Sequence, residues 1–302
     1  MNIFDSENTD FLSGFVAIIG PPNVGKSTLL NRLLEKKISI VSPKPQTTRN
    51  RILGIYHGEG CQIAFMDTPG IHTTRTPLHK SMVSSAQEAL SEVDILMVVI
   101  EMQKPDDPEI SIILKNLKEA NKKTILVINK IDTGPKKNLL PIIYHFSSQY
   151  PFDEIFPVSA LKGQGIKMLL EGLIKKIKPG PEFFPRDMIT DQKETFLISE
   201  VIREKIYFHT RRELPYSSAV TVEKMDEIPE KGLLSISAVI HVESGSQKAI
   251  IIGKRGTLLK KIGSTSRREL EKMFGCRVYL QLHAHVEKNW SKDTMALRRL
   301  GY

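Results

Sequence analysis

A phosphate-binding loop stands near the start of the sequence, in residues 20–28. Gly20 and Gly25 allow backbone N–H groups to approach a phosphate chain closely, and Lys26 supplies a positive charge to the β- and γ-phosphates. The hydroxyl of Ser27 suits Mg²⁺. The sequence therefore predicts a nucleoside-triphosphate site at this loop. Its predicted residues are Gly20, Pro21, Pro22, Asn23, Val24, Gly25, Lys26, Ser27 and Thr28.

A second segment, Asp67-Thr68-Pro69-Gly70, follows the apolar run 62–66. We predict that the Asp67 carboxylate holds Mg²⁺ through water and that the Gly70 amide contacts the γ-phosphate. Ile71 comes next, where small GTPases carry the glutamine that orients the attacking water. An alkyl side chain neither accepts nor donates a proton, so intrinsic turnover is expected to be slow. For the second hydroxyl on Mg²⁺ we choose Thr48, in the polar loop 42–50, over its neighbour Thr47.

A third segment, Asn129-Lys130-Ile131-Asp132, indicates which base is bound. The Asp132 carboxylate is suited to accept hydrogen bonds from both N1–H and the 2-amino group of guanine. Adenine lacks these donors, so ATP would leave the carboxylate unpaired, and such mismatches discriminate strongly. We predict that Asn129 braces the base and the loop, and that the Lys130 stem covers the ring of the base. Ser159 and Ala160 are predicted to close over the purine through backbone amides.

Alternating strands and helices are predicted to position these segments, from residue 15 to residue 178. The runs are short and apolar, as in a parallel sheet covered on both faces. Strands are predicted at 15–19, 51–56, 62–66, 95–100, 124–128 and 155–158, with Gly58-Glu59-Gly60 as a hairpin between the second and third. Helices are predicted after Lys26, along the stripe 78–93, from Pro108, and at 138–149 and 165–177. The sum is a doubly wound α/β domain with ligand loops at the strand C-termini.

A proline-rich stretch at 178–185 breaks this alternation and predicts a linker. A small α+β module is predicted beyond it. Its helices are placed near 192–212 and 257–273, and its strands at 218–223, 233–242 and 277–282.

Charge is concentrated at the C-terminal end of the chain. Residues 247–302 hold thirteen basic and four acidic residues, a net +9 that equals the net charge of all 302 residues. Such a segment suits a polyanion, and nucleic acid is favoured over a membrane. The alternative is a basic face that contacts water alone. The two cysteines, Cys61 and Cys276, are isolated, which fits a reduced cytosolic interior.

The segments above resemble those of the Era family of GTPases, and the resemblance extends over nearly the whole chain. Residues 22–31, 46–49 and 67–70, together with Asn-Lys-Ile-Asp and Ser-Ala, resemble its G domain. The resemblance implies a Ras-like P-loop domain at 1–178, a linker at 179–190, and a type II KH domain with a basic tail at 191–302. It implies a Mg²⁺-dependent GTPase that binds the 3′ end of 16S rRNA and assists assembly of the 30S subunit. In related families an asparagine at the position of Asn23 helps to bind K⁺. We hypothesise that Asn23 does the same here.

The KH resemblance assigns an RNA-binding loop to Gly253-Lys254-Arg255-Gly256. Two glycines let a phosphate reach exposed N–H groups, and an apolar wall at 250–252 is predicted to face the bases. The other predicted RNA contacts are Ile252, Lys260, Lys261, Trp290, Arg298 and Arg299. Trp290 is left with two alternatives, stacking on a base or packing the tail.

Two rival functions stay open at this stage. One is an RNA-binding assembly factor or chaperone whose G domain merely senses the nucleotide. The other is a regulator associated with the inner face of the cell membrane, although no amphipathic anchor is visible. The interpretation we prefer is a monomeric cytoplasmic switch that binds GTP or GDP and the 30S subunit, with at most a weak peripheral membrane association.

Overall fold

The computed structural model describes residues 11–42, 44, 49–67, 93–120, 122–210 and 214–302. These residues form two compact units. The first unit comprises described residues up to 38 and from 49 to 191. The second comprises 192–302 together with described residues of the segment 39–44.

The first unit is built on a seven-stranded sheet in the order β2-β3-β1-β4-β5-β6, with the short β7 paired to β1. Its strands are β1 (Leu12–Ile19), β2 (Ile52–Gly58), β3 (Cys61–Asp67), β4 (Ile95–Glu101), β5 (Lys123–Asn129), β6 (Glu154–Pro157) and β7 (Lys178–Pro179). Its described helices are α1 (Lys26–Leu33), α2 (Pro108–Ala120), α3 (Leu139–Gln149) and α4 (Ile166–Ile174). The strands β3, β1, β4, β5 and β6 run parallel, and β2 runs antiparallel to β3.

The apolar runs form this sheet because its central strands are buried on both faces. Six consecutive residues of β4, Ile95 to Ile100, have no exposed surface. All six predicted strands and the hairpin at 58–60 are confirmed, with bounds that differ by up to three residues. The helix predicted from Pro108 begins at that residue, because a proline at the first helical position loses no hydrogen bond.

Residues 179–190, predicted to be a linker, lie along the first unit. The buried Gln62 side chain accepts hydrogen bonds from the N–H groups of Phe183 and Phe184 at 2.9 and 3.0 Å. The Phe183 ring centroid lies 5.1 Å from that of Phe15. Thr190 donates its hydroxyl to the Leu53 carbonyl at 2.6 Å. The segment is therefore fastened to the sheet by partly buried hydrogen bonds.

The second unit is a three-stranded sheet with helices on one face, in the order β10-β9-β8. Its strands are β8 (Ser218–Ile228), β9 (Leu233–Val242) and β10 (Arg277–Val286), and its helices are α5 (Glu194–His209), α6 (Gly245–Ile252), α7 (Thr257–Phe274) and α8 (Thr294–Arg299). Strand β9 pairs parallel with β10 and antiparallel with β8. The predicted helices and strands of the module are confirmed, but β8 and β10 extend past their predicted ends.

Part of the segment between α1 and β2 packs on helix α5. The N–H of Val41 donates to Glu204 at 3.0 Å, and the Lys44 ammonium donates to the Thr210 carbonyl at 2.5 Å. Lys44 also donates to the Tyr207 carbonyl. The lysine thus satisfies carbonyls at the C-terminal end of the helix, where cations are favoured.

No helix within the described ranges is long and apolar enough to cross a membrane.

Candidate nucleotide site and nucleic-acid interface

The phosphate-binding loop connects the end of β1 to the start of α1. Its backbone is left-handed at Asn23 and at Gly25, with φ of 61° and 100°. A Cβ atom on Gly25 would lie 2.4 Å from Nδ2 of Asn129, so the close approach requires glycine. Since Gly25 is also the N-cap of α1 and has no side chain, no capping side chain competes with an anion at the N-terminus of the helix.

Lys26 is buried at the first position of α1. Its ammonium group donates to the carbonyls of Gly20 and Pro21, both at 2.8 Å. Burial lowers the pKa of this ammonium group to about 8, while the carboxylates of Asp67 and Glu109 oppose the shift. A phosphate chain adds negative charge beside the ammonium group and favours its charged form.

Ser27 and Asp67 meet at the end of the parallel strands. The Ser27 hydroxyl donates to Oδ2 of Asp67 at 2.7 Å, and Asp67 is fully buried at the C-terminal end of β3. Hydroxyl and carboxylate oxygens are the hard ligands that Mg²⁺ prefers. These two predicted metal-binding residues are brought together and fit the metal.

Asn129 connects three segments of the predicted site. Its Nδ2 donates to the Val24 carbonyl at 2.8 Å, and its Oδ1 accepts from the Ala160 N–H at 3.0 Å. Asn129 is 2% exposed. One buried side chain therefore holds the phosphate loop, the base-recognition segment and the Ser159-Ala160 segment together.

The Lys130 side chain is held by a residue that the sequence analysis missed. The Lys130 ammonium group lies 2.7 Å from Oε2 of Glu101, the last residue of β4. The backbone of Lys130 is left-handed, with φ of 61°. Asp132 follows in a 3₁₀ turn, Ile131–Thr133, with its carboxylate exposed. An exposed carboxylate beside a fixed lysine stem is suited to receive a guanine edge.

Arg32 is a second residue that the sequence analysis missed. Its Nε donates to the Ala160 carbonyl at 3.0 Å, and its Nη2 donates to the Leu161 carbonyl at 2.7 Å. These bonds fasten the Ser159-Ala160 segment to the last turn of α1. No local pattern reveals them, because the partners are 128 and 129 positions apart in the sequence.

Five predicted residues of the site lie outside the described residues. They are Thr48, Thr68, Pro69, Gly70 and Ile71. Their predicted roles stay predictions.

The Gly-x-x-Gly loop joins α6 to α7 in the second unit. Gly253, Arg255 and Gly256 all have positive φ, at 71°, 53° and 77°. The side chains of Lys254 and Arg255 are exposed, so both charges are available to a phosphate. Lys260 and Lys261 follow in the first turns of α7 and are also exposed. The loop therefore presents cations beside backbone N–H groups that a phosphate can approach, because the two glycines have no side chains.

The predicted apolar wall at 250–252 is wrong in one respect. Residues 250–252 end helix α6, so their side chains point in different directions. Ile251 is fully buried in the core, Ile250 is 55% exposed, and Ile252 is half-buried. Of the three isoleucines, Ile250 and Ile252 remain accessible to RNA bases.

The prediction that Trp290 contacts RNA is wrong. Trp290 is fully buried, donates Nε1–H to the Ser217 carbonyl at 3.1 Å, and stacks on Tyr302 at a centroid distance of 5.7 Å. It packs the C-terminal tail, which was the other alternative. Arg298 and Arg299 are exposed, and Arg299 is paired with Glu287.

Two family models match the chain. A model described as a 50S ribosome-binding GTPase matches residues 15–130, and a KH-domain model matches residues 213–291. These matches confirm the predicted P-loop G domain and the KH domain after it.

Curated relatives cover almost the entire length. The chain is 49% identical over 292 residues to the GTPase Era of Syntrophus aciditrophicus, covering 97% of this chain and 95% of that protein. It is 50% identical over 293 residues to the GTPase Era of Geotalea uraniireducens, covering 97% and 98% of the two chains.

Two solved structures are similar over the same extent. One is a variant of Aquifex aeolicus Era bound to GDP·AlF₄⁻, and the other is Era in complex with MgGDPNP and nucleotides 1506–1542 of 16S ribosomal RNA. Each has a TM-score of 0.93 and 42% identity, and covers 97% of this chain and 99% of its own.

Proposed function

The chain belongs to the Era family of GTPases, and from that premise we propose that it is a GTP-hydrolysing switch that binds 16S rRNA. The rRNA segment lies near the 3′ end, and the protein assists assembly of the 30S ribosomal subunit. It converts GTP and water to GDP and phosphate, slowly and with Mg²⁺. The observation that carries this proposal is Asn129, which joins the phosphate loop to the Ser159-Ala160 segment in one site.

The chain's own groups divide the work at this site. Loop amides and Lys26 hold the β- and γ-phosphates, while Asp132 selects guanine and Lys130, fixed by Glu101, covers its ring. Ser27 would bind Mg²⁺ directly and Asp67 would hold it through water, with Thr48 as the proposed second hydroxyl. When bound, the metal neutralises charge that develops on the phosphate oxygens.

Ile71 offers no group that moves a proton at the attacking water. The protein therefore relies on positioning and charge to accelerate GTP hydrolysis. That accounts for the slow turnover we propose.

Asn23 is proposed as a ligand to K⁺, a cation placed where an arginine finger would stabilise the transition-state charge. Its side chain is exposed at the tip of the phosphate loop, with the left-handed backbone that asparagine tolerates. We expect GTP hydrolysis by the wild type to be faster in K⁺ than in Na⁺, and Asn23→Ala to lose this difference while still binding GDP. The measurement is single-turnover hydrolysis in each salt. Equal wild-type rates in both salts would refute the proposal.

The part of the chain proposed to bind RNA is the Gly-x-x-Gly loop with its exposed cations. The solved complex of a relative with MgGDPNP and 16S rRNA supports the same pair of ligands for this chain. We propose that the GTP-bound form engages the rRNA and that hydrolysis releases it.

A single-turnover assay with and without 30S subunits tests the switch against the rival nucleotide-sensing chaperone. We expect subunits to change the hydrolysis rate, and GDP to weaken subunit binding. A chaperone that only senses nucleotide would bind subunits equally with GTP and with GDP, and its hydrolysis rate would be unaffected by them.

We keep the division into a GTP-binding domain at 1–178, a linker at 179–190 and a KH domain at 191–302 as part of the proposal. The protein is proposed to act as a cytoplasmic monomer. Within the described residues nothing supports the membrane association that the sequence left open.

A further inference from the structure

Helices α5 and α7 of the second unit border a groove with a volume of about 650 Å³. The Gly-x-x-Gly loop contributes no residue to it. The groove is lined by Lys205, Phe208, His209, Thr265, Arg268 and Lys272, together with Glu269 and Glu271. We propose that this groove is a second RNA contact, in which a base stacks on Phe208 and the strand's phosphates pair with Arg268 and Lys272. This inference rests on the proposed RNA-binding function and extends it beyond the loop.

Phe208 provides the stacking surface. It lies one residue before the end of α5 and is 52% exposed, although it is a large apolar side chain. The Lys205 ammonium lies 5.9 Å from its ring centroid. The same ammonium group lies 2.7 Å from Oε2 of Glu204, so the cations available beside the exposed ring are Arg268 and Lys272. An exposed aromatic ring in a groove with such cations is the combination that binds single-stranded nucleic acid without strong sequence preference.

The acidic side chains of the groove are already engaged. Glu269 lies 3.6 Å from the Lys205 ammonium, and Glu271 lies 3.8 Å from Arg267 while it accepts from the Val278 N–H. Both glutamates therefore have basic partners on the helices themselves.

Two cations of the groove remain available for a ligand. Arg268 and Lys272 are exposed and form no ion pair with any residue that the structure describes. The Arg268 Nε contacts the Ser264 carbonyl at a long 3.4 Å, which leaves the other guanidinium donors for a phosphate.

His209 lies in the groove between the two helices. Its Nε2 lies 3.2 Å from the Thr265 hydroxyl. The pKa of His209 is lowered by burial and then by the charges of Lys261 and Lys205. Lys205 is itself paired with Glu204 and Glu269, so the charges left for a phosphate in the groove are those of Arg268 and Lys272.

A stripe of cations on one face of α7 leads from the RNA loop towards the groove. Lys261, Arg268 and Lys272 follow at intervals of seven and four residues, so they lie on one stripe of the helix. The stripe begins one turn after the Gly-x-x-Gly loop. From Thr257 to Arg268 the helix rises roughly 16 Å, a distance that a strand held at the loop covers within a few nucleotides.

The lining favours RNA over a protein segment. Phe208 is the one large apolar side chain among the residues that line the groove. A groove for a protein helix or strand is mostly apolar, with charged residues confined to its rim. Charged groups dominate this lining instead.

The test compares two RNAs on the full-length protein bound to a non-hydrolysable GTP analogue. One RNA has about four nucleotides, the number that a KH loop clamps; the other is the same sequence extended by about ten nucleotides at both ends. We expect Phe208→Ala to weaken binding of the extended RNA about tenfold and to leave the affinity for the short RNA unchanged. Phe208→Tyr keeps an aromatic ring and should restore the affinity.

The charge contribution is tested with Arg268→Glu combined with Lys272→Glu. For the extended RNA, the slope of log affinity against log salt should fall by about 1.4, since each lost phosphate contact removes about 0.7. The matched control reverses two exposed charges of the same unit away from these helices, Lys224→Glu with Lys231→Glu, and should leave the slope unchanged. Thermal unfolding of each variant confirms that the fold is retained.

Three outcomes would overturn the inference. If both groove variants bind the extended RNA as the wild type does, the groove does not hold RNA. If they bind both RNAs normally but lose 30S subunits, its ligand is a protein. If the wild type binds neither RNA, the proposed RNA-binding function itself fails, and this inference fails with it.

Discussion

Asp132→Asn is expected to weaken GTP and GDP binding by a factor of about 10² to 10⁴. The carboxylate accepts two hydrogen bonds from guanine, and each hydrogen bond to a charged group contributes roughly 1.5–3 kcal/mol. An asparagine keeps one acceptor and places an N–H₂ group opposite the 2-amino group, so two donors face each other. Xanthine carries an oxygen at that position, and the variant is expected to prefer xanthosine nucleotides.

Calorimetry with GDP and with xanthosine diphosphate measures both halves of this prediction. Asp132 is exposed in its 3₁₀ turn, so the substitution should leave the fold unchanged. The neighbouring Thr133→Ala is the matched control, because Thr133 is also exposed and, among the residues that the structure describes, its hydroxyl bonds only to the Lys130 carbonyl. Unchanged GDP affinity in the Asp132 variant would refute the assignment of guanine.

Replacing Lys254 and Arg255 together by glutamate is expected to reduce affinity for the 3′ end of 16S rRNA by two orders of magnitude or more at low salt. Both side chains are exposed on the loop, and two reversed charges repel the phosphates that two cations had attracted. The slope of log affinity against log salt should fall by about 1.4. GTP binding should be unaffected, because none of the hydrogen bonds that form the nucleotide site involves this loop.

Filter binding over a range of salt concentrations measures the affinity and the slope. The double substitution Lys224→Glu with Lys231→Glu again serves as the control for total charge. Wild-type RNA affinity in the Lys254, Arg255 variant would show that the loop does not hold the phosphate backbone.

The three predicted nucleotide-binding motifs could be recognised because each motif is contiguous in the sequence. A loop such as 20–28 needs particular residues at fixed spacing, and that spacing is a property of the chain itself. The strands were equally accessible, because a parallel sheet covered on both faces requires short apolar runs such as Ile95 to Ile100. The Gly-x-x-Gly loop could also be recognised, because its two glycines stand at a fixed spacing in the sequence.

Two residues that position the site, Arg32 and Glu101, were not predictable. Asn129 was predicted to brace the loop, but its partner, the Val24 carbonyl, lies 105 positions away, and Arg32 reaches Ala160 across 128. Glu101 fixes Lys130 from a neighbouring strand. Such contacts depend on which strands are adjacent in the sheet, and residue spacing along one strand carries no information about its neighbour.

The sequence by itself therefore determined the proposed ligands and their predicted sites: a guanine nucleotide at three short motifs, and an RNA backbone at a glycine loop in a basic segment. Tertiary structure decided the roles that depend on burial. It placed Trp290 in the core instead of against RNA, turned Ile251 inward, and left Phe208 exposed beside Arg268 and Lys272. Burial is set by what packs against a residue from distant parts of the chain, and the residue's own type does not specify it.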